Sequence, residues 1–167
     1  NILCGRHPEY YSEDPILTGT LMAYQARGLE ENGVIATYKH LIANNMEFER
    51  KSAHGIIDEN TLRDLYLRVF DKAFSLYKPG CVMTSYNPVN GIYPCENSAL
   101  LNNLLRGEWG FDGFVMTDWG SYDTADSIRS VCAGTNLLTP GSKKHFRMIL
   151  KAVKRNEIST VSYTHLR

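Results

Sequence analysis

Asp118 has the residue type and the setting to do chemistry. It follows the apolar run Phe114-Val115-Met116 and precedes Trp119, which sets a carboxylate at the mouth of a pocket beside an aromatic face. A carboxylate there can attack an anomeric carbon or stabilise an oxocarbenium-like charge, and an indole packs against the C–H face of a pyranose. The same aspartate also suits the N-cap of a helix starting near Tyr122, because Asp is a preferred cap, so the pattern alone leaves both readings open. Lys39-His40 forms the polar end of a second apolar run, and Asn44, Asn45, Glu47, Glu49 and Arg50 crowd the loop behind it, either bracing a site or simply solvated. Taken singly, Arg6 and Lys39 read as surface charges and Tyr86 as a core tyrosine with a satisfied hydroxyl. Asp123 and Asp126 read as first-turn charges that favour a helix dipole. The five histidines contain no His-Glu-x-x-His spacing. The four cysteines, Cys4, Cys81, Cys95 and Cys132, form neither a Cys-x-x-Cys pair nor a zinc cluster and are expected to be ordinary thiols. No metal or cofactor is expected, and the absence of Gly-x-Gly-x-x-Gly and phosphate-loop patterns argues against a nucleotide-binding domain.

The elements that would position these residues alternate strand with helix. Glu9 to Pro15 reads as an aromatic-rich loop, and Pro15 opens a helix that runs to about Asn32 and is ended by Gly33. Val34 to Leu41 is apolar and β-branched enough for a buried strand. Asp58 is a natural N-cap, and Leu62, Leu65, Tyr66, Val69, Phe70, Ala73, Phe74 and Tyr77 recur at three-and-four spacing, a core-facing stripe. Pro79-Gly80 precedes a strand from Cys81 to about Ser85, and Asn97 or Ser98 caps a helix ending near Gly107. Phe114 to Thr117 is the third strand, followed by a helix from about Tyr122 to Cys132, a short strand Thr135 to Leu138, and a last helix from about Lys143 to Asn156. Apolar strands alternating with amphipathic helices indicate parallel βαβ units, four of them, with the site at the C-terminal strand ends. A closed eight-unit barrel takes about 250 residues, so the expected fold is α/β, a partial (β/α)8 TIM-type barrel.

Composition narrows the partners. Lys plus Arg and Asp plus Glu each number 18, so the net charge is zero and no overall field would draw in nucleic acid or anionic lipid. No apolar run approaches the roughly 18 residues that span a bilayer, and Asn1 to Arg6 lacks the layout of a signal peptide. The missing initiator Met leaves a lost leader open, and with it the compartment. Neutral or small polar partners fit best.

The run Leu104-Leu105-Arg106-Gly107-Glu108-Trp109-Gly110-Phe111-Asp112-Gly113-Phe114-Val115-Met116-Thr117-Asp118-Trp119 resembles the nucleophile signature of glycoside hydrolase family 3, the β-glucosidase and β-xylosidase group. Gly5-Arg6-His7-Pro8-Glu9-Tyr10-Tyr11-Ser12-Glu13-Asp14-Pro15 is similar to that family's Gly-Arg-Asn-Phe-Glu-Tyr-Tyr-Ser-Glu-Asp-Pro segment. Lys39-His40-Leu41 with Asn44-Asn45, and Met83-Thr84-Ser85-Tyr86-Asn87 with Asn90-Gly91, match two more blocks in the same order. The resemblance implies a retaining glycosidase acting on a carbohydrate, with Asp118 as nucleophile and Arg6, Lys39 and His40 hydrogen-bonding the hydroxyls of the first-subsite sugar. It places Tyr86 near Asp118, able to hydrogen-bond the carboxylate or the region of the sugar's ring oxygen, and adds Trp119 and Met83 to the substrate-binding set. Leu41 replaces a common Phe, and Thr139 stands where Met often precedes the Pro-Gly; both alter packing without removing a reactive group. Ala43-Asn44-Asn45-Met46 is not the Pro-Gly-His-Gly of the branch with a His-containing acid/base loop, which favours the β-glucosidase branch, although glucoside, xyloside and N-acetylglucosaminide remain open.

In the β-glucosidase branch the acid/base comes from a second domain downstream, and an upstream Asp grips the sugar. Neither has a counterpart here, so the expected partners include the remainder of the barrel and that domain. An inactive truncated fragment is accordingly the alternative reading for the chain alone. Residues 1–158 are assigned to the barrel domain; 159–167 are set apart as a tail, because Val161 to Arg167 looks similar to translated adaptor sequence rather than to the family.

Overall fold

The computed structural model describes residues 4–159. Three parallel strands, β1 (Thr37–Leu41), β2 (Cys81–Thr84) and β3 (Phe114–Thr117), form a sheet in chain order, each followed by a polar loop and then helix. This is the α/β arrangement expected for an arc of a (β/α)8 barrel. The tail from residue 160 onward lies outside the described residues.

Local signals set most helix starts. Asp14 Oδ1 accepts from the amides of Ile16 and Leu17 at 2.7 and 2.9 Å, and Pro15 occupies the first position of α1 (Pro15–Glu30). Asp58 likewise accepts from Thr61 and opens the helical run α2 (Glu59–Thr61), a wider-wound π stretch (Leu62–Leu67) and α3 (Arg68–Leu76). The expected stripe is buried at Phe70, Ala73 and Phe74, whereas its Leu65 is exposed and Leu67, outside the stripe, is buried instead, because the 3.6-residue period does not hold through the π stretch. A second π-wound helix, Ala99–Glu108, follows Asn97, whose side chain accepts from the Leu100 amide at 3.1 Å.

Two strand assignments need correction. β1 begins at Thr37 rather than Val34: its partner β2 starts at Cys81, opposite Thr37, so Val34 and Ile35 have no ladder to join and stay exposed. The fourth strand is a single bridge, Met116 to Leu137. There Asn136 Oδ1 accepts the Val115 amide at 2.7 Å, so a side chain takes the acceptor position that a strand's carbonyl would fill. Arg106 Nη2 holds the same oxygen at 3.0 Å. The expected helix from Tyr122 is also shorter. Ser121–Asp123 is a 3-10 turn, and α4 (Ser127–Cys132) starts where Asp126 caps it through the Ile128 and Arg129 amides. α5 (Lys143–Lys154), capped by Ser142, packs on α4 through a small core of Val131, Ala152 and Ile158.

Alternation splits the sheet into two faces. Tyr38, Val82 and Val115 point toward the helices and are 1%, 0% and 0% exposed, whereas Met83 and Met116 on the opposite face are only half-buried. The helix side is locked by Phe74, whose ring lies 5.3 Å from Tyr38, 5.3 Å from Trp109 and 5.6 Å from Phe111. α1 packs closely on α3: a Cβ at Gly19 would stand 2.5 Å from the Val69 carbonyl oxygen.

Candidate active site

The C-terminal strand ends converge on Asp118. β3 delivers it and β1 delivers Lys39 and His40, while the loop entering α1 brings Arg6, Glu9 and Tyr10 across from the other side. Asp118 is 7% exposed. Its Oδ1 accepts the Trp119 amide at 2.7 Å, and its Oδ2 lies 3.3 Å from His40 Nε2 and 3.7 Å from Arg6 Nη1 without a hydrogen-bond partner. The N-cap reading of Asp118 is not what the structure shows: the carboxylate binds the amide of its immediate neighbour, and the next helix is capped by Asp126.

His40 is buried against the cluster. Its Nδ1 meets the Tyr10 hydroxyl at 2.8 Å and its Nε2 sits 3.2 Å from Arg6 Nη2. Burial, and next the Arg6 guanidinium, push the imidazole down to about 4, so at neutral pH the ring carries one proton and its contact with Asp118 is not an ion pair. Burial also raises the Tyr10 phenol, which stays protonated.

Glu9 ties the donors together. Its Oε1 accepts Arg6 Nε at 2.6 Å, its Oε2 accepts Arg6 Nη2 at 3.0 Å, and Lys39 Nζ also donates to Oε2. The Arg6 hydrogen bonds, then Lys39, hold this carboxylate down at about 2. Sequence reading placed Glu9 in a loop and gave it no role. The available signal was the opposite charge three residues after Arg6, a spacing that joins side chains across one turn.

Beside Asp118, Tyr86 is 4% exposed, and its hydroxyl donates to the Trp119 carbonyl at 2.6 Å while staying close enough to the Asp118 carboxylate to interact with it. Burial, with the Asp118 charge next, raises its pKa. Arg50 stacks over its ring at 4.4 Å, and Lys51 Nζ donates to the Gly120 carbonyl at 3.1 Å, so the loop after the Lys-His pair does brace this wall. Gly120, at φ +78°, turns the backbone immediately after Trp119 in a conformation that side chains resist. Trp119 itself is 67% exposed. The structure thus brings Arg6, Lys39, His40, Tyr86 and Trp119 around Asp118. Met83 lies instead within β2 opposite Met116, half-buried on the face turned from the helices. A cavity of about 590 Å³ adjoins the cluster, lined by Glu9, Tyr10, Lys39 and His40 together with Tyr66 and Phe70; Asp118 does not line it.

The sequence and fold resemble those of proteins of known type. Residues 3–162 match the model of the glycosyl hydrolase family 3 N terminal domain. The chain is 41% identical over 160 residues to the probable beta-glucosidase J of Aspergillus fumigatus, covering 94% of the chain and 18% of that relative. Among solved structures, beta-glucosidase 3B from Thermotoga neapolitana in complex with glucose superposes with a TM-score of 0.91 at 40% identity, over 97% of this chain and 24% of that one. The GH3 beta-glucosidase of Bifidobacterium adolescentis does so with a TM-score of 0.92 at 35% identity, over 99% and 24%. The chain therefore spans less than a quarter of the length of these relatives, and it belongs to glycosyl hydrolase family 3, within the family's N-terminal domain.

Proposed function

We propose that this chain supplies the sugar-binding half of a retaining β-glucosidase site, in which Asp118 is the nucleophile. The observation that carries this is the division of labour on one buried carboxylate. Oδ1 is fixed by the Trp119 amide, and Oδ2, buried and without a hydrogen-bond partner, is flanked by His40 and Arg6. In the reaction Oδ2 attacks the anomeric carbon of a terminal β-glucosyl residue as the glycosidic bond breaks, giving a glycosyl ester that water then hydrolyses with net retention. Arg6, Lys39 and His40 bind hydroxyls of that sugar, and the exposed Trp119 indole lies against its C–H face.

Such a mechanism needs a second carboxyl group, protonated when the leaving group departs and about 5 to 5.5 Å from the first. Glu9 is unsuited to it, since a group held near 2 and paired with two cations is ionised throughout the working range. On this reading the acid/base comes from beyond the described residues, as the family resemblance implies, and the chain by itself is expected to turn over no glycoside. The share of its relatives' length that it spans, 18% and 24%, supports the same reading.

The test is hydrolysis of nitrophenyl β-glucoside by the protein expressed with whatever sequence flanks this chain in its gene. Asp118→Asn is expected to lower kcat by at least about 10³-fold, and proton NMR of the first-formed product should show the β-anomer. Turnover unaffected by the substitution, or an inverted first product, would overturn the assignment.

A further inference from the structure

Arg6 presents five N–H donors in a rigid fork, and which edge faces the site depends on what holds the rest. Glu9 takes the Nε–Nη2 edge through both of its oxygens, at 2.6 and 3.0 Å. That leaves Nη1 buried, with no hydrogen-bond partner, 3.7 Å from Asp118 Oδ2, itself buried and without one. The same carboxylate receives Lys39 Nζ, from a strand 30 residues further along the chain. One side chain thus fixes two cations that enter from different segments.

The alternatives open to Arg6 show what Glu9 prevents. The other carboxylates near the guanidinium are Asp118, at 3.7 Å, and Glu47, at 3.8 Å. Released from Glu9, a guanidinium that is only 14% exposed would turn its fork onto Asp118, because bidentate pairing with a carboxylate is its strongest available contact. That pairing would cover the oxygen that has to attack the sugar. Lys39, 38% exposed, would swing into solvent. Since Glu9 is held near 2, the restraint persists at any pH where a glycosidase of this kind works.

We infer that Glu9 is a positioning residue: it aims Arg6 Nη1 and the Lys39 ammonium at the sugar's hydroxyls and keeps Arg6 off Asp118. This rests on the β-glucosidase reading above, and the experiment separates the two. In the protein expressed with its flanking sequence, Glu9→Gln replaces one acceptor oxygen with an NH2 group that faces donors. For nitrophenyl β-glucoside KM should rise roughly tenfold or more, the loss associated with a charge-assisted hydrogen bond, while kcat falls by a smaller factor. Across a series of monodeoxy β-glucosides the penalty in kcat/KM should shrink toward nothing for at least one position, the hydroxyl that Arg6 or Lys39 binds. A structural defect would lower every substrate alike.

If Glu9→Gln does not give a cooperative melt, Glu9→Asp, which keeps the charge, is read in the same way against the deoxy series. A KM within twofold of wild type, or an equal loss on all substrates, overturns the positioning role while Asp118→Asn still abolishes turnover. Turnover that survives Asp118→Asn overturns the enzymatic reading itself, and the role of Glu9 with it.

Discussion

At the residue scale the site is a set of charges whose protonation is decided by burial and by each other. His40 has an ordinary value of 6.5 and a folded value of about 4, lowered first by burial and then by Arg6. Between those values the unfolded chain binds more protons than the folded one, so stability falls as pH drops. The contribution is undiminished above about 6.5 and fully lost below about 4. Glu9 acts in a lower window: Arg6 and then Lys39 depress its carboxylate from 4.5 to about 2, so its contribution is present above 4.5 and fades as pH falls toward 2. Melting temperatures between pH 7 and 4.5 should therefore decline more steeply for wild type than for His40→Asn; identical slopes would show that the imidazole does not govern this range. Asp118, Lys39 and His40 could be picked out in the sequence because polar residues closing apolar strands are conspicuous. Glu9 offered only its i,i+3 spacing from Arg6 as a signal, since its second cation, Lys39, meets it across 30 positions.

At the element scale, the sheet that carries these residues is oriented by its helix-facing side. Phe74 touches the rings of Tyr38, Trp109 and Phe111, and so joins α3 to β1 and to the turn before β3. Phe74→Ala should cost about 3–5 kcal/mol in urea unfolding of the flanked protein, and a loss below roughly 1 kcal/mol would mean that the cluster repacks around the gap. The stripe bearing Phe74 was legible because a helix repeats its face every few residues. The fourth strand was misread for an equally local reason: Thr135 to Leu138 looks extended, but the Asn136 side chain occupies the acceptor position at Val115. The helix placed from Tyr122 failed similarly, because Asp126 competes for the cap and wins.

At the scale of the whole molecule, the uncovered sheet face and the helix surfaces dominate. Met83 and Met116 are half-buried where Tyr38, Val82 and Val115 on the opposite face are sealed, β1 has no neighbour on its outer side among the described residues, and Ile35, Phe48, Ile56 and Phe146 are 65%, 76%, 81% and 67% exposed. Open edges and apolar patches of this kind seek partners. The isolated chain should sediment as oligomers or aggregates and melt without a sharp transition; a monomer with a cooperative melt would show the arc to be self-sufficient. The order of residues along the chain was enough to determine the alternating α/β plan, the cap at Asp58, the helix opening at Pro15, the strand-end candidates and the family, because each depends on residue type and short spacing. Tertiary structure alone decided that Asp118 keeps one oxygen without a hydrogen bond, that Tyr86 spends its proton on a carbonyl, and that Glu9 holds two cations. Those outcomes depend on distances of a few ångströms between segments far apart in sequence, which no local pattern encodes.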